Sequence, residues 1–274
     1  MAHAEAHLPA AACAKGVVLR TTALMRMLAE AREPQSIKGL GERLGLAPST
    51  VHRLLEELVH TEWVVRTPQR RNRAALEFFR LGALTTQHIA PVALARPVLA
   101  EIVARCDETA IFAMHVKKDA RMVFVDKRDP SHPLRYRFRM HEARPLVWGA
   151  PGRAILAHLP AEVQRAAVCG AGRSESGRLP PSWDEWLGEA ATVRRRGWAM
   201  SRGAFIDWAV GFAAPVFGGA DEIVGALAIA VPEARLRPGQ DGHFIHTLTR
   251  QARLLSASLG AARRWVGTAQ EAMQ

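Results

Sequence analysis

The chain has 274 residues, 49% of them hydrophobic and 23% charged, with a formal net charge of +11. That length favours two domains over one, and the composition is that of a globular protein in water. No apolar run of about 18 residues occurs, which excludes a membrane-spanning helix; three scattered cysteines, Cys13, Cys106 and Cys169, exclude a disulfide framework; and the positive charge favours an anionic partner without identifying it.

The opening "MAHAEAHLPAAACAKG", residues 1–16, has no basic start followed by a long apolar run. It reads as a disordered cytosolic tail, not a signal peptide. "VLRTTALMRMLAEA" then predicts a helix with Leu24, Met27 and Leu28 facing inward. "SIKGLGERLGL" predicts a second, short helix, with Ser36 as its N-cap and Ile37, Leu40 and Leu44 as its apolar face. Gly39 and Gly41 weaken it by roughly 1 kcal/mol each relative to alanine, so packing must hold it. The turn "GLAP" leads into a third helix, where Pro48 suits the first position and Val51, Leu54, Leu55 and Leu58 make one buried stripe.

Ser49, Thr50, His52 and Arg53 fall mainly off that stripe, at the positive end of the helix. After it, "WVVR", "TPQRR" and "NRAAL" read as strand, turn and weak returning strand, a hairpin carrying Arg70, Arg71 and Arg73. Two helices joined by a tight turn, then a basic hairpin, make a winged helix-turn-helix. Each polar residue alone has a plain reading: Ser49 and Thr50 as helix caps, Arg53 as a solvated charge, His52 as an edge packer. The order of elements favours insertion into a DNA groove, with Arg53 on base edges and the hairpin arginines over phosphates. Arg20, Ser36 and Lys38 complete the candidate DNA-contacting set. Eleven basic against seven acidic side chains from Val17 to Gly82 leave a surplus of only four. Net charge is therefore not the argument for DNA.

Gly82 and Pro91 punctuate a helical connector over 77–92, and Pro97 suits the first turn of a helix reaching Arg105. "TAIFAMHV" and "RMVFVDK" predict strands joined by the turn "KKDA". "PLRYRFRMH" alternates Leu134, Tyr136, Phe138 and Met140 against Arg135, Arg137, Arg139 and His141, and predicts another strand. The arginine row reads first as a solvated face or subunit contact, second as a site for an acidic ligand. Tyr136 and Phe138 are candidate pocket walls. "GRAILAHL" and "WDEWLGEAATVRRRG" predict helices, "AVGFAAPVF" and "EIVGALAIAV" central strands around "GGAD", and Phe244 to Trp265 a closing helix. Gly149 to Gly152 lets backbone approach closely at a helix start, where a carboxylate can rest on outward N–H groups.

"LRTTALMRMLAE", "LGLAPSTVHRLLEELV" and "WVVR" resemble the winged helix-turn-helix of IclR-type transcriptional regulators. The match resumes at "LARPVLAEIVARCDETAIFAMHV", "RPLVWGAPGRAILAHLP" and "GFAAPVFGGADEIVGALAIAVPEARL". The resemblance implies an α+β chain, with an N-terminal winged helix-turn-helix domain over 17–76 and a C-terminal GAF-like mixed α/β effector-binding domain over 93–270. It further implies a cytoplasmic homodimer or homotetramer that binds an operator in double-stranded DNA and a small organic-acid effector. Carried over position by position, Ala150, Pro151, Ser201, Gly211, Ala228 and Ala230 would line the effector pocket, beside Gly149 and Gly152. The chain departs from the pattern at Gln69–Arg70, Asn72, Ala74, Arg153 and Trp208. Gly211, Ala228 and Ala230 bring no polar side chain, which points to a wider, drier pocket and a larger or aromatic carboxylate.

No H-E-x-x-H, C-x-x-C, Walker or dinucleotide glycine loop occurs, so neither a metal, a cofactor nor a catalytic constellation is expected. Asp126, Asp129, Asp207 and Glu142 stand without an evident partner base. The alternative is a GAF-like binding or catalytic protein whose winged helix serves protein contacts.

Overall fold

The protein, here a computed structural model, is described over residues 16–88, 90–132, 136, 138–205 and 207–261. All but the last residue of the tail expected over 1–16 lies outside that range. The chain divides into two compact units, Met1–His88 and Ile89–Gln274.

In the first unit α1 (Val17–Glu30), α2 (Ile37–Leu44) and α3 (Pro48–His60) precede the hairpin β1 (Val64–Arg66) and β2 (Asn72–Ala74), and α4 (Leu76–His88) follows. Leu24 and Leu28 of α1, Leu40 and Leu44 of α2, and Val51, Leu54 and Leu55 of α3 share one core with Val64. Each fully buried leucine contributes roughly 1.5–3 kcal/mol. Ser36 caps α2 by accepting the Gly39 N–H at 3.1 Å. Gly45 ends α2 at φ 64°, a left-handed conformation suited to glycine. The turn is tight because Gly41 has no side chain: a Cβ there would stand 2.8 Å from the Leu46 carbonyl. Asn72 extends the hairpin with a bridge to Gln35, exchanging both backbone hydrogen bonds at 2.8 Å.

The second unit is a six-stranded antiparallel sheet with helices on both faces. Its elements are α5 (Ala90–Cys106), β3 (Thr109–Val116), β4 (Arg121–Arg128), β5 (Ala143–Pro145), α6 (Gly149–Leu156), α7 (Ala161–Cys169), α8 (Trp183–Arg196), β6 (Ala199–Arg202), β7 (Ala209–Phe217), β8 (Ile223–Pro232) and α9 (Asp241–Ser258). The strand order is β5-β4-β3-β8-β7-β6. One face packs on α5 and α9 through Phe112, Phe212, Leu227, Ile229, Phe244 and Leu248. The other meets α6 and α8 through Phe124, Ala213, Ala226, Ile155 and Trp186. Pro215 stands past Ala213, the last β7 residue paired with β6, where its missing N–H costs no bond to that strand.

Several expectations are corrected. Pro97 lies inside α5 and not in its first turn, since that helix begins at Ala90. The strand expected over 133–141 is absent at Tyr136, Phe138 and Arg139, and Met140–His141 form a turn. His141 takes φ 63°, which breaks extension, and the edge position beside β4 goes to Ala143–Pro145 instead. Leu134, Arg135 and Arg137 lie outside the described residues; Arg139 is exposed and pairs with Glu142 at 3.7 Å. The closing helix stops at Ser258, and Trp265 lies outside the described residues. The short elements β5, β6 and α7 are not anticipated.

Gly225 is required by close approach: a Cβ there would stand 2.1 Å from the Ala113 carbonyl oxygen. Gly225→Ala should therefore cost about 1–3 kcal/mol. Gly242→Ala, on α9 with nothing within 4 Å of its Cβ, should be neutral or gain up to ~1 kcal/mol. Urea unfolding of the two variants checks this; equal midpoints would contradict the packing.

Candidate functional site

The N-terminal end of α3 is an exposed polar tip. Ala47 is the residue preceding the helix and offers no side-chain cap. Ser49 and Thr50 thus do not serve as the caps of α3. Ser49, His52 and Arg53 are exposed, and Thr50 is half-buried. Among the described residues no ion pair or hydrogen bond holds the Arg53 guanidinium. The side chains of Val51, Leu54 and Leu55 point the other way and are fully buried or nearly so, which fixes the rotation of the helix.

One connection was not legible in the sequence. Glu56, one turn after His52, receives Arg66 of β1 at 2.7 Å and lies 3.3 Å from the His52 ring. The Arg66 hydrogen bond holds the Glu56 carboxyl below the usual carboxylate value. The recognition helix and the hairpin are thereby tied on one face. At the hairpin tip Arg70 takes φ 56° and closes a turn by donating its N–H to Thr67 O at 2.9 Å. Arg70, Arg71 and Arg73 are all exposed, with Arg71 also donating to the Pro34 carbonyl at 3.3 Å. Arg20 is half-buried on α1. Lys38 is exposed with Glu42 4.0 Å away, and the Ser36 hydroxyl oxygen is engaged as the α2 cap.

The second unit contains a cavity between α6 and the sheet, with about 450 Å³ of empty space that includes open solvent. Eight of the ten residues expected there line it: Phe138, Gly149, Ala150, Pro151, Ser201, Gly211, Ala228 and Ala230. Two do not. Gly152 faces away, for a Cβ on it would stand 2.3 Å from the Leu146 carbonyl. Tyr136 donates its hydroxyl to the Trp208 carbonyl at 2.7 Å. Burial, with the Glu108 and Glu233 carboxylates nearby, pushes the Tyr136 phenol up. Trp208 itself is exposed at φ 62°, a left-handed conformation that glycine adopts more readily than tryptophan.

Ile111, Phe124, Ala204, Phe205, Ala209, Val210 and Ile229 also line the cavity and were missed. Phe124 carried a signal in the alternation of β4. Phe205 carried none, because its place depends on a loop packing over Gly149: at φ 74° that glycine would put a Cβ 2.5 Å from the Phe205 ring. Phe124, Phe138 and Phe205 meet edge to face, at 5.8 and 6.5 Å from Phe124. Asp207 is exposed and does not line the cavity.

Among the described residues Ser201 is the one polar side chain in the lining. Its Oγ accepts the Ala150 N–H at 2.9 Å, capping α6 from the neighbouring strand. The carboxylate cradle expected from Gly149 to Gly152 is correspondingly reduced. One of its N–H groups is taken by Ser201, and Pro151 has none. An acceptor in the cavity meets the Ser201 O–H, whose oxygen is already committed. Among the described residues no cluster of three His, Cys, Asp or Glu is placed to hold a metal, and no helix is long and apolar enough to cross a membrane.

Residues 17–68 match the IclR helix-turn-helix domain, and residues 82–257 match the bacterial transcriptional regulator IclR C-terminal domain. The Cupriavidus necator transcriptional regulator SauR is 26% identical over 84% of this chain and 91% of its own length. A solved IclR-type regulator from Silicibacter sp. TM1040 superposes with a TM-score of 0.81 at 24% identity, covering 92% of this chain and all of its own. An IclR homologue from Microbacterium hydrocarbonoxydans, solved with 4-hydroxybenzoate, has a TM-score of 0.72 at 19% identity, over 89% of this chain and 98% of its own.

Removing the α6 cap tests the cavity's construction. Ser201→Ala should lower the unfolding free energy by about 1 kcal/mol, as cap losses do, and Ser201→Thr should recover most of it. Chemical denaturation reads both; an unchanged Ser201→Ala midpoint would contradict the cap.

Proposed function

The chain belongs to the IclR family of DNA-binding transcriptional regulators, and we propose that it is a cytoplasmic, non-enzymatic sensor. It reads an operator with the α3 tip and responds to an organic acid held between α6 and the sheet. The observation that carries the DNA part is the uncapped, exposed start of α3, with Arg53 free to approach base edges while Val51, Leu54 and Leu55 anchor the opposite side. Arg70, Arg71 and Arg73 of the hairpin supply phosphate contacts. The domain reading is a winged helix-turn-helix over 17–76, a connector over 77–92 and the effector-binding part over 93–270. Exposed Val17, Val18 and Leu19 on α1 and Leu76 and Phe79 on α4 favour self-association of the first unit. A two-fold assembly of that kind calls for a palindromic operator.

The effector reading is an aromatic or larger aliphatic carboxylate. Three phenylalanines and a row of small residues line the cavity, and Ser201 offers a single donated hydrogen bond. The complex of 4-hydroxybenzoate with the Microbacterium homologue supports the same class.

Two measurements test this reading. In fluorescence anisotropy with DNA from upstream of its own gene, Arg53→Ala should weaken specific binding by ~1–3 kcal/mol and leave random DNA nearly unaffected. Equal loss on both would make Arg53 a phosphate contact. In calorimetry, 4-hydroxybenzoate or benzoate should bind and glyoxylate should not; the reverse preference would refute an aromatic-acid sensor.

A further inference from the structure

Arg144 of β5 is 7% exposed, and among the described residues its buried Nε has no hydrogen-bond partner. Its guanidinium lies over two rings, 4.9 Å from the centre of Phe205 and 5.5 Å from that of Phe124. Both rings line the cavity; Arg144 does not. Its acidic partner is Glu175, which meets Nη1 at 2.9 Å and is 52% exposed in its side chain. Among the described residues the lining contains no charged side chain.

We propose that Arg144 is the residue that makes this apolar cavity select anions, acting through the faces of Phe205 and Phe124. The inference rests on the effector reading above and names the origin of its preference for a carboxylate. The face of a phenyl ring is negative and repels a carboxylate. A guanidinium seated on the ring offsets that repulsion. The charge also acts directly, because the space between it and the cavity is filled by low-dielectric rings. Glu175 offsets the cation only in part, since half of its side chain faces water and its field is screened there. A buried cation with an unpaired N–H is costly. Packing alone would be served by an aliphatic side chain of similar length.

The arrangement also determines which loop would feel a bound anion. Phe205 follows Gly203 and Ala204, whose carbonyls accept from Ser176 Oγ at 2.8 and 3.2 Å. Ser176 neighbours Glu175. Arg144, Glu175, Ser176 and Phe205 therefore form one connected set behind the Phe205 side of the cavity wall, and a carboxylate in the cavity would share the field of Arg144 with Glu175.

The test compares benzoate with its uncharged isostere benzamide on the full-length protein by calorimetry. Wild type should prefer benzoate. Arg144→Met should lose about tenfold in benzoate affinity while benzamide stays within about twofold, and Arg144→Lys should restore part of the preference. Glu175→Gln, which leaves the buried cation in place, should raise benzoate affinity relative to benzamide. That variant serves as the deciding measurement if Arg144→Met does not fold. An unchanged benzoate-to-benzamide ratio in Arg144→Met, or in Glu175→Gln, would overturn the role of Arg144 while the cavity remained an effector site. Binding of neither compound to wild type would instead overturn the aromatic-acid reading, and the role of Arg144 with it.

Discussion

The arrangement of the second unit depends on an asymmetry of side-chain size across β7 and β8. Toward α6 these strands present Gly211, Ala213, Ala226, Ala228 and Ala230, with the large Phe217 and Ile223 only at their hairpin end; toward α5 and α9 they present Val210, Phe212, Val216, Leu227, Ile229 and Val231, with Ala214 among them. The large residues fill one face and make its packing dense. The small ones cannot fill the space under α6, so part of that space stays empty, as packing of rigid elements with too little volume requires. The cavity is thus a consequence of the same alternation that builds the sheet. Enlarging Gly211 would begin to close it, since a Cβ there would stand 3.2 Å from Ser201 Oγ and 3.5 Å from the Ala150 Cβ.

Small residues alone would let α6 settle onto the sheet. Two contacts hold it in place at its first turn. Ser201 binds the Ala150 N–H from β6, and the Phe205 ring occupies the space that a side chain at Gly149 would need. At the other side Arg153 of α6 pairs with Glu189 of α8 at 2.9 Å and donates to the Val147 carbonyl. The helix is therefore fixed at both its start and its outer face, while the inner face stays uncovered over the cavity. A ligand of the proposed kind would meet a preformed wall there, and the ordering cost of its binding would be correspondingly small.

Much of this was legible in the sequence because period and punctuation agree with tertiary packing. The α1 to α3 stripes, the Ser36 cap, the Pro48 start, and the long strands β3, β4, β7 and β8 follow from apolar spacing that nothing in the fold opposes. Tyr136 to Met140 show the opposite case. Their alternation is genuine, but the β4 edge is filled by Ala143–Pro145, and the alternation is spent on sending Phe138 into the cavity and Tyr136 to the Trp208 carbonyl. Small residues at Gly211, Ala228 and Ala230 could be placed at the pocket from the family pattern. Phe205 and Arg144 could not, because neither has a periodic signal and their meeting joins the short strand β5 to a loop distant in sequence.

The same reasoning explains why the α3 tip was easier to identify than the cavity's chemistry. A recognition helix is specified locally: the buried stripe sets its rotation, and whatever lies off the stripe at the N-terminus is exposed. Only the Glu56–Arg66 link, which ties α3 to β1, needed three dimensions. That link has a consequence for how the unit would act on DNA. Arg66 is held by Glu56 and so contributes less charge to a phosphate than its exposure suggests. Arg53, with no such partner among the described residues, can give its full hydrogen-bonding fork to a base edge. On the proposed reading, the division between reading and holding in the first unit would be set by which arginine a carboxylate has already claimed, not by the number of arginines present.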